Sequence, residues 1–505
     1  MKPFRIFIFG LSALLILAAV SVIFPSENPK IWGFTIKIPS LVSLVKPSKP
    51  QYKDISHIIK LSGQLTDSVV SNPQKDTVHF SGKTSKPLTI KDNARRTIIK
   101  ADSIRSSFRQ IDFPAGNDTL LFPFFDELQN LKDSKKLIRI LHYGDSQIEG
   151  DRITSYFRNQ IQMRFGGCGI GLIPIVAVNS SSISYVYNIS DNWKKFSPLQ
   201  ASTEEKKHRK YGVLINFARI TKSSSLFGNR KELEGWIELK RSNIAYPLAQ
   251  QFQQCRIFYG FNKSPMLIEV KQNKAVLDAE IVPVTSRLEE LRLNFASPQD
   301  LLISFKTADP PDVYGIALDA MQGIAVDNIP LRGSSGLEFT KIDLDFLKKF
   351  YRMINVKLLI LQFGVNIVPN VTENYEYYER SFQKQLMALR QTIPNLPIII
   401  IGVSDVSRNG SNGYESYPNI EKIRDAQKRA AFNSGCAFWD IFEVMGGRNS
   451  MPSWVFANPP LAQKDFVHFS PLGAKIIGEM FYRSFMHEYD RYLERQKANS
   501  LSQTL

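Results

Sequence analysis

A serine hydroxyl is a weak nucleophile until a base takes its proton and a carboxylate holds that base in one tautomer. Two short segments of this chain carry all three residue types. Gly144-Asp145-Ser146 closes the apolar stretch Leu137–Tyr143, and Asp465-Phe466-Val467-His468 stands more than 300 residues later. If the fold brings them together, Ser146 is the nucleophile, His468 the base and Asp465 the group that orients it. The chemistry is then acyl transfer, by a hydrolase or an acyltransferase. Each segment alone has a plainer reading, since Asp145 or Ser146 can simply cap a helix and Asp-x-x-His is a common spacing.

His468 is the choice among six histidines. His57 and His79 lie in a polar N-terminal tract, His208 in the charged run Glu204–Lys210, and His487 near the end of the last helix. His142 lies inside a strand, where a satisfied core histidine is expected. Only His468 sits in a loop before a helix with a carboxylate three residues earlier. Acyl transfer also needs donors for the oxyanion. Asn366, in Phe363-Gly364-Val365-Asn366, can supply a side-chain amide. A glycine of the segment Asp327–Gly336 can supply a backbone N–H, and Gly333 is taken over Gly336 by its distance from Val326-Asp327-Asn328. Taken singly, Asn366 reads as a turn residue and Gly333 as a bend.

The elements that must position these groups alternate in two styles. Short apolar strands at Leu137–Tyr143, Val356–Phe363, Leu396–Val403 and Ala437–Ile441 are separated by helical stretches at Arg152–Phe165, Asn374–Thr392 and Ile420–Asn433. A closing helix runs from Pro471 to about Tyr489. Continuous apolar strands between helices predict a parallel sheet covered on both faces, with its ligand at the strands' carboxyl ends. From about Ser180 to Ala320, short alternating segments replace helices: Val213–Phe217, Gly235–Leu239, Arg256–Tyr259, Met266–Val270, Glu290–Phe295 and Leu301–Phe305. They predict an antiparallel sandwich inserted into the α/β sheet. The turn Gly166-Gly167-Cys168-Gly169-Ile170-Gly171 lacks dinucleotide-fingerprint spacing and is expected to bend the chain beside the active cleft.

Composition bounds the rest. The 505 residues suit two folded units plus tails, and 43% apolar content is that of an ordinary globular core. From Ser26 to Gln110 there are 15 Lys/Arg against 6 Asp/Glu, about half of the net charge of +17. This tract reads as a solvated tether that gains beside an anionic membrane or polymer. No nucleic-acid motif accompanies the charge. Met1–Arg5 is basic and Ile6–Phe24 carries no charge, about enough to span a bilayer. Positive-inside bias leaves everything after Pro25 outside the cytoplasm. An uncleaved anchor is the reading taken, because Val22-Ile23-Phe24 extends the apolar run past Ala18-Ala19-Val20-Ser21. A cleaved signal peptide is the alternative. Cys168, Cys255 and Cys436 show no metal-type spacing, and nothing says which pair, if any, would close. There is no Gly-x-Ser-x-Gly elbow, phosphate loop or His-Glu-x-x-His motif.

In chain order, Ser146, Gly333, Asn366 and the Asp465/His468 pair resemble the blocks of the SGNH/GDSL hydrolase family. Those blocks carry a nucleophile, two oxyanion donors and a base. The resemblance covers about Lys136–Ala177 and Gly323–Phe485, and Asp465–Ala474 is close to the family's last block. Gly364-Val365-Asn366-Ile367 departs from the frequent Gly-Thr-Asn-Asp/Glu form but keeps Gly-x-Asn. The resemblance implies a flavodoxin-like three-layer α/β sandwich and a serine esterase without cofactor or metal. The implied organisation is an anchor (1–25), a tether (26–112), the hydrolase domain (113–179 and 321–490), an inserted β-sandwich (180–320) and a polar tail (491–505).

An inserted sandwich between the first two blocks is similar to exported peptidoglycan or polysaccharide O-acetylesterases, many with His where this chain has Gln147. The implied substrate is an acylated glycan of a bacterial cell envelope, on the periplasmic side of a membrane held through residues 6–24. An O-acetyltransferase working with a membrane acyl donor, and a non-catalytic glycan-binding protein, are the alternatives. The insert would then resemble a carbohydrate-binding module with Trp193, Trp236, Tyr246 or Tyr259 stacking on sugars, against the plainer reading of core aromatics.

Overall fold

A computed structural model describes residues 7–13, 15–16, 19, 30–31, 34–35, 52–60 and 110–503, less the internal stretches 178–181, 200–207, 223–231, 273–274, 297–299 and 411–412. The chain divides into two units, Met1–Tyr52 with Asn409–Glu415, and Lys53–Arg408 with Ser416–Leu505. In the first unit, residues 7–13 are helical and Lys30–Ile31 pairs antiparallel with Phe34–Thr35. Much of the expected anchor lies outside the described residues. Among the described residues, no helix is long and apolar enough to cross a membrane.

The second unit is built on five parallel strands: β1 Leu137–Gly144, β2 Gly323–Pro330, β3 Val356–Gln362, β4 Ile398–Ile401 and β5 Ala437–Trp439. Their order in the sheet is β2-β1-β3-β4-β5. Period-2 alternation sends successive side chains to opposite faces, and here both faces are apolar. Leu141, Tyr143, Leu359, Leu361, Ile398, Ile400 and Phe438 enter one core. Ile138, Ile140, Leu358, Ile360, Ile399, Ile401 and Trp439 enter the other.

Helices α1 Phe122–Gln129, α2 Thr154–Phe165 and α6 Pro471–Gln503 cover the second face, while α3 Leu344–Met353, α4 Glu376–Thr392 and α5 Ile420–Asn433 cover the first. This is the expected flavodoxin-like three-layer sandwich. The last helix outruns its expected end because Tyr492, one face-repeat beyond Phe485 and Tyr489, is buried against Phe122 and Phe125. Part of the expected tether is likewise packed. Residues 56–60 are helical, and Ile55 and Ile58 are buried in the second core.

Between β1 and β2 the chain forms two antiparallel sheets of five and six strands, with Gly171–Ile173 pairing on the strand Asp312–Asp319. Ile237, Ile268 and Phe305 of one sheet and Ile220, Ile257 and Val313 of the other share a core, and Trp193 meets Phe305 edge-on at 5.4 Å. Val213–Phe217 is not a strand: Ile215 takes a left-handed φ of 55° in a buried turn, and the strand there is Phe217–Ile220.

The insert is tied to the sheet by a fully buried cluster in which Arg139 of β1 bonds Asp327 of β2 at 2.6 Å and Asp319 of the strand Asp312–Asp319. Asp327 also accepts from the Leu172 N–H at 2.7 Å. Close approach there explains Gly171, where a Cβ would stand 2.1 Å from the Asp327 carboxylate. The glycine turn therefore packs on Ile324 near the start of β2 and on Leu318, away from the strands' carboxyl ends where the expectation put it.

Candidate active site

The order β2-β1-β3 puts the topological switch point between β1 and β3, where the chain leaves the sheet in opposite directions and a crevice opens at the carboxyl ends. Ser146 follows β1, and Gly364-Val365-Asn366 follows β3. Asp145 starts a 3-10 segment, Ser146–Asp151, by accepting the Gln147 N–H at 3.0 Å, so Ser146 occupies its first position. The loop carrying Asp465 and His468 precedes α6 at the same end of the sheet.

Ser146 Oγ lies 2.7 Å from His468 Nε2, and His468 Nδ1 lies 2.7 Å from Asp465 Oδ2. A proton on Nδ1 satisfies both contacts and leaves Nε2 to accept from the hydroxyl. The other Asp465 oxygen accepts the N–H groups of Val467 and His468, each at 3.0 Å. Partial burial raises the Asp465 pKa, but the His468 N–H, its ring and the Val467 N–H outweigh that and hold it below the usual carboxylate value. The carboxylate is thus fixed by its own backbone before it bonds the ring.

The remaining candidates also converge. Asn366 Nδ2 donates to the Ser334 carbonyl at 2.8 Å, joining the loops after β3 and β2, and its second N–H has no bond among the described residues. Leu331 N–H donates to the Gly144 carbonyl at 2.7 Å, which ties the Gly333 loop to the end of β1. The two glycines differ in one respect. Gly336 gives its N–H to Ser334 Oγ at 2.9 Å, while the Gly333 N–H has no bond among the described residues. Gly333 takes a left-handed φ of 77°, with open space where a side chain would go.

Three residues given no catalytic role from the sequence hold the nucleophile loop. Gln147 Nε2 donates to the Val467 carbonyl at 2.7 Å and to Ser404 Oγ at 3.1 Å, bridging the Ser146 and His468 loops. Arg152 repeats the bridge, donating to the carbonyls of Ser146 (2.6 Å) and Phe469 (3.2 Å). Asp145 is buried, which pushes its pKa up to about 7 despite the N–H groups of Gln147, Val365 and Gly364. The capping role open to Asp145 was legible in the sequence; for Gln147 and Arg152 the clamping role carried no signal beyond nearness to Ser146. His142 is the core histidine expected: its Nδ1 meets Thr154 Oγ1 at 2.9 Å and burial drives its pKa down to about 3.

One solved structure, a peptidoglycan O-acetylesterase, superposes with a TM-score of 0.57 at 23% identity, covering 73% of this chain and 96% of that one. The chain shares the fold of that peptidoglycan O-acetylesterase. A salicylyl-acyltransferase from a tetracycline biosynthetic pathway (TM-score 0.26, 10% identity, 60% of this chain and 97% of that one) is a much looser match. So is a family two carbohydrate esterase from Cellvibrio japonicus (0.23, 6%, 61% and 99%). No family model and no curated protein matches the chain.

Beside the parallel sheet, the expected sugar-stacking aromatics mostly turn inward. Trp193 and Tyr259 are buried, and Tyr246 packs on Tyr156 at 6.0 Å, which leaves Trp236 exposed. Cys168, Cys255 and Cys436 are all free thiols.

Proposed function

We propose that the protein is a serine esterase that removes O-acetyl groups from a cell-envelope glycan through an acyl-Ser146 intermediate. The observation that carries this reading is the Ser146–His468–Asp465 relay at the switch point of the sheet. Its likeness in fold to a peptidoglycan O-acetylesterase supports the substrate class.

His468 Nε2 takes the Ser146 proton as Oγ bonds the ester carbonyl carbon, and the carbonyl electrons move onto oxygen. The N–H groups of Ser146 and Gly333 and the Asn366 amide stabilise that oxyanion. Collapse breaks the bond to the sugar oxygen, which leaves with the proton from His468. Water then gives a proton to His468 and adds to the acyl carbon. Collapse of the second intermediate releases acetic acid and returns the proton to Ser146 Oγ. The proposal includes export, with attachment to a membrane through residues 6–24.

The test is acetate release from O-acetylated peptidoglycan. Wild-type protein is expected to release acetate and Ser146→Ala to release none while remaining folded. Equal release by both overturns the reading. Acetyl groups appearing on an acceptor glycan without free acetate would make the enzyme a transferase.

A further inference from the structure

A second cleft opens at the same end of the sheet as Ser146. It encloses about 630 Å³ of empty space, the part open to solvent included, and lies between the end of β2 and the inserted sheets. One wall is continuous with the nucleophile loop, through Glu149 and Asp151 of the segment that Ser146 begins, and through Asn328 and Pro330 of β2. Pro330 is the register partner of Gly144, two residues before Ser146. The facing wall comes from the insert, with Tyr185, Lys195 and Asn216.

The charges on these walls are paired with one exception. Glu149 is held by Arg332 through two bonds of 2.5 Å. Asp151 is held by Arg158 at 2.6 and 3.1 Å and by the Ser184 hydroxyl. Lys195 has no hydrogen bond or ion pair from its ammonium among the described residues, although it is half-buried. Burial lowers its pKa, with no offsetting carboxylate among the described residues. A desolvated ammonium without a partner costs stability, and a lysine on a surface strand has no need to point into a cleft. Tyr185 and Asn216, neutral polar residues that line the same cleft, suit a carboxylate and a sugar hydroxyl.

We propose that this cleft is a subsite for the carboxylate of an acidic glycan, with Lys195 as the cation that receives it. The inference deepens the esterase reading and rests on it for the substrate class. An acyl sugar at Ser146 would then be recognised together with a carboxylate carried by the same or a neighbouring residue of the polymer.

The test is a binding measurement on the full chain, which needs no turnover and so fails or succeeds apart from acetate release. Calorimetric titration would compare a disaccharide of N-acetylglucosamine and N-acetylmuramic acid with its carboxyl-amidated form, and with digalacturonate. Wild-type protein is expected to bind at least one free acid about tenfold or more tighter than the amide, the effect of one charge-assisted hydrogen bond. Lys195→Gln is expected to erase the difference and Lys195→Arg to keep it, with unfolding curves confirming that both fold. Which acid binds tells a lactyl ether from a uronate. Equal binding of acid and amide, no binding of either acid, or a preference that survives Lys195→Gln overturns the proposal.

Discussion

Gln147 tests whether the catalytic geometry depends on a clamp beside the relay. Its side chain is buried, and its single amide nitrogen joins the loop of Ser146 to that of His468 through Val467, with a second bond to Ser404. Gln147→Leu keeps most of the volume and removes both bonds. Two net hydrogen bonds at about 1 kcal/mol each give a stability loss of about 2 kcal/mol, and a stranded Val467 carbonyl adds about 1 kcal/mol more. The larger effect falls on rate, because the 2.7 Å contact between Ser146 and His468 spans the same two loops. A displacement on the order of 1 Å lowers turnover about 100-fold. Steady-state hydrolysis of 4-nitrophenyl acetate is expected to show kcat down about 10- to 100-fold with KM little changed, while urea unfolding shows the stability loss. Gln147→His, which keeps a donor for one of the two acceptors, should fall between. A Gln147→Leu enzyme with wild-type kcat would refute the clamp, since Arg152 would then be holding the loops unaided.

Asn366→Ala is expected to lower kcat about 10²- to 10³-fold, as loss of one oxyanion donor does, and to cost about 1 kcal/mol of stability through its lost bond to the Ser334 carbonyl; kinetics and a thermal melt on the same sample check both. Asp145 titrates near 7 in the folded chain against an ordinary 3.8. The fold therefore holds its proton more tightly than the unfolded chain does, and stability is full below about pH 4 and falls as pH rises through 7. Asp145→Asn removes that fall, so its stability relative to wild type should improve by about 3 kcal/mol from pH 5 to pH 8 in denaturant titrations. Arg139→Leu strands Asp319 and Asp327 in the interior and is expected to destabilise by about 3–5 kcal/mol, read as a lowered urea midpoint.

The relay was legible because its parts are local: a strand that ends in Gly144-Asp145-Ser146, and a carboxylate three residues before its histidine. The four strands with mostly apolar runs between helices were legible for the same reason. The strand β2 was not, since Gly-Ile-Ala-Val-Asp-Asn-Ile-Pro carries a charge at its centre and a proline at its end. Asp327 is tolerated there only because Arg139, 188 residues earlier, meets it across the sheet, and no local pattern encodes that pairing. Val213–Phe217 misled in the opposite way. Its apolar run is buried as a turn, and burial is the same requirement whether the backbone is extended or left-handed. The clamps of Gln147 and Arg152 bond backbone carbonyls of a loop more than 300 residues away, so their residue types carry no signal until the fold closes.

The central claim is that Ser146 is activated by His468 and Asp465, and labelling with a fluorophosphonate reads it directly. The probe is expected to modify Ser146 alone, as located by mass spectrometry of the digested protein. Labelling should slow by about 10³-fold or more in Asp465→Asn, which loses the group that fixes the imidazole tautomer. An unlabelled Ser146 in folded wild-type protein, or a rate unchanged by Asp465→Asn, would contradict it.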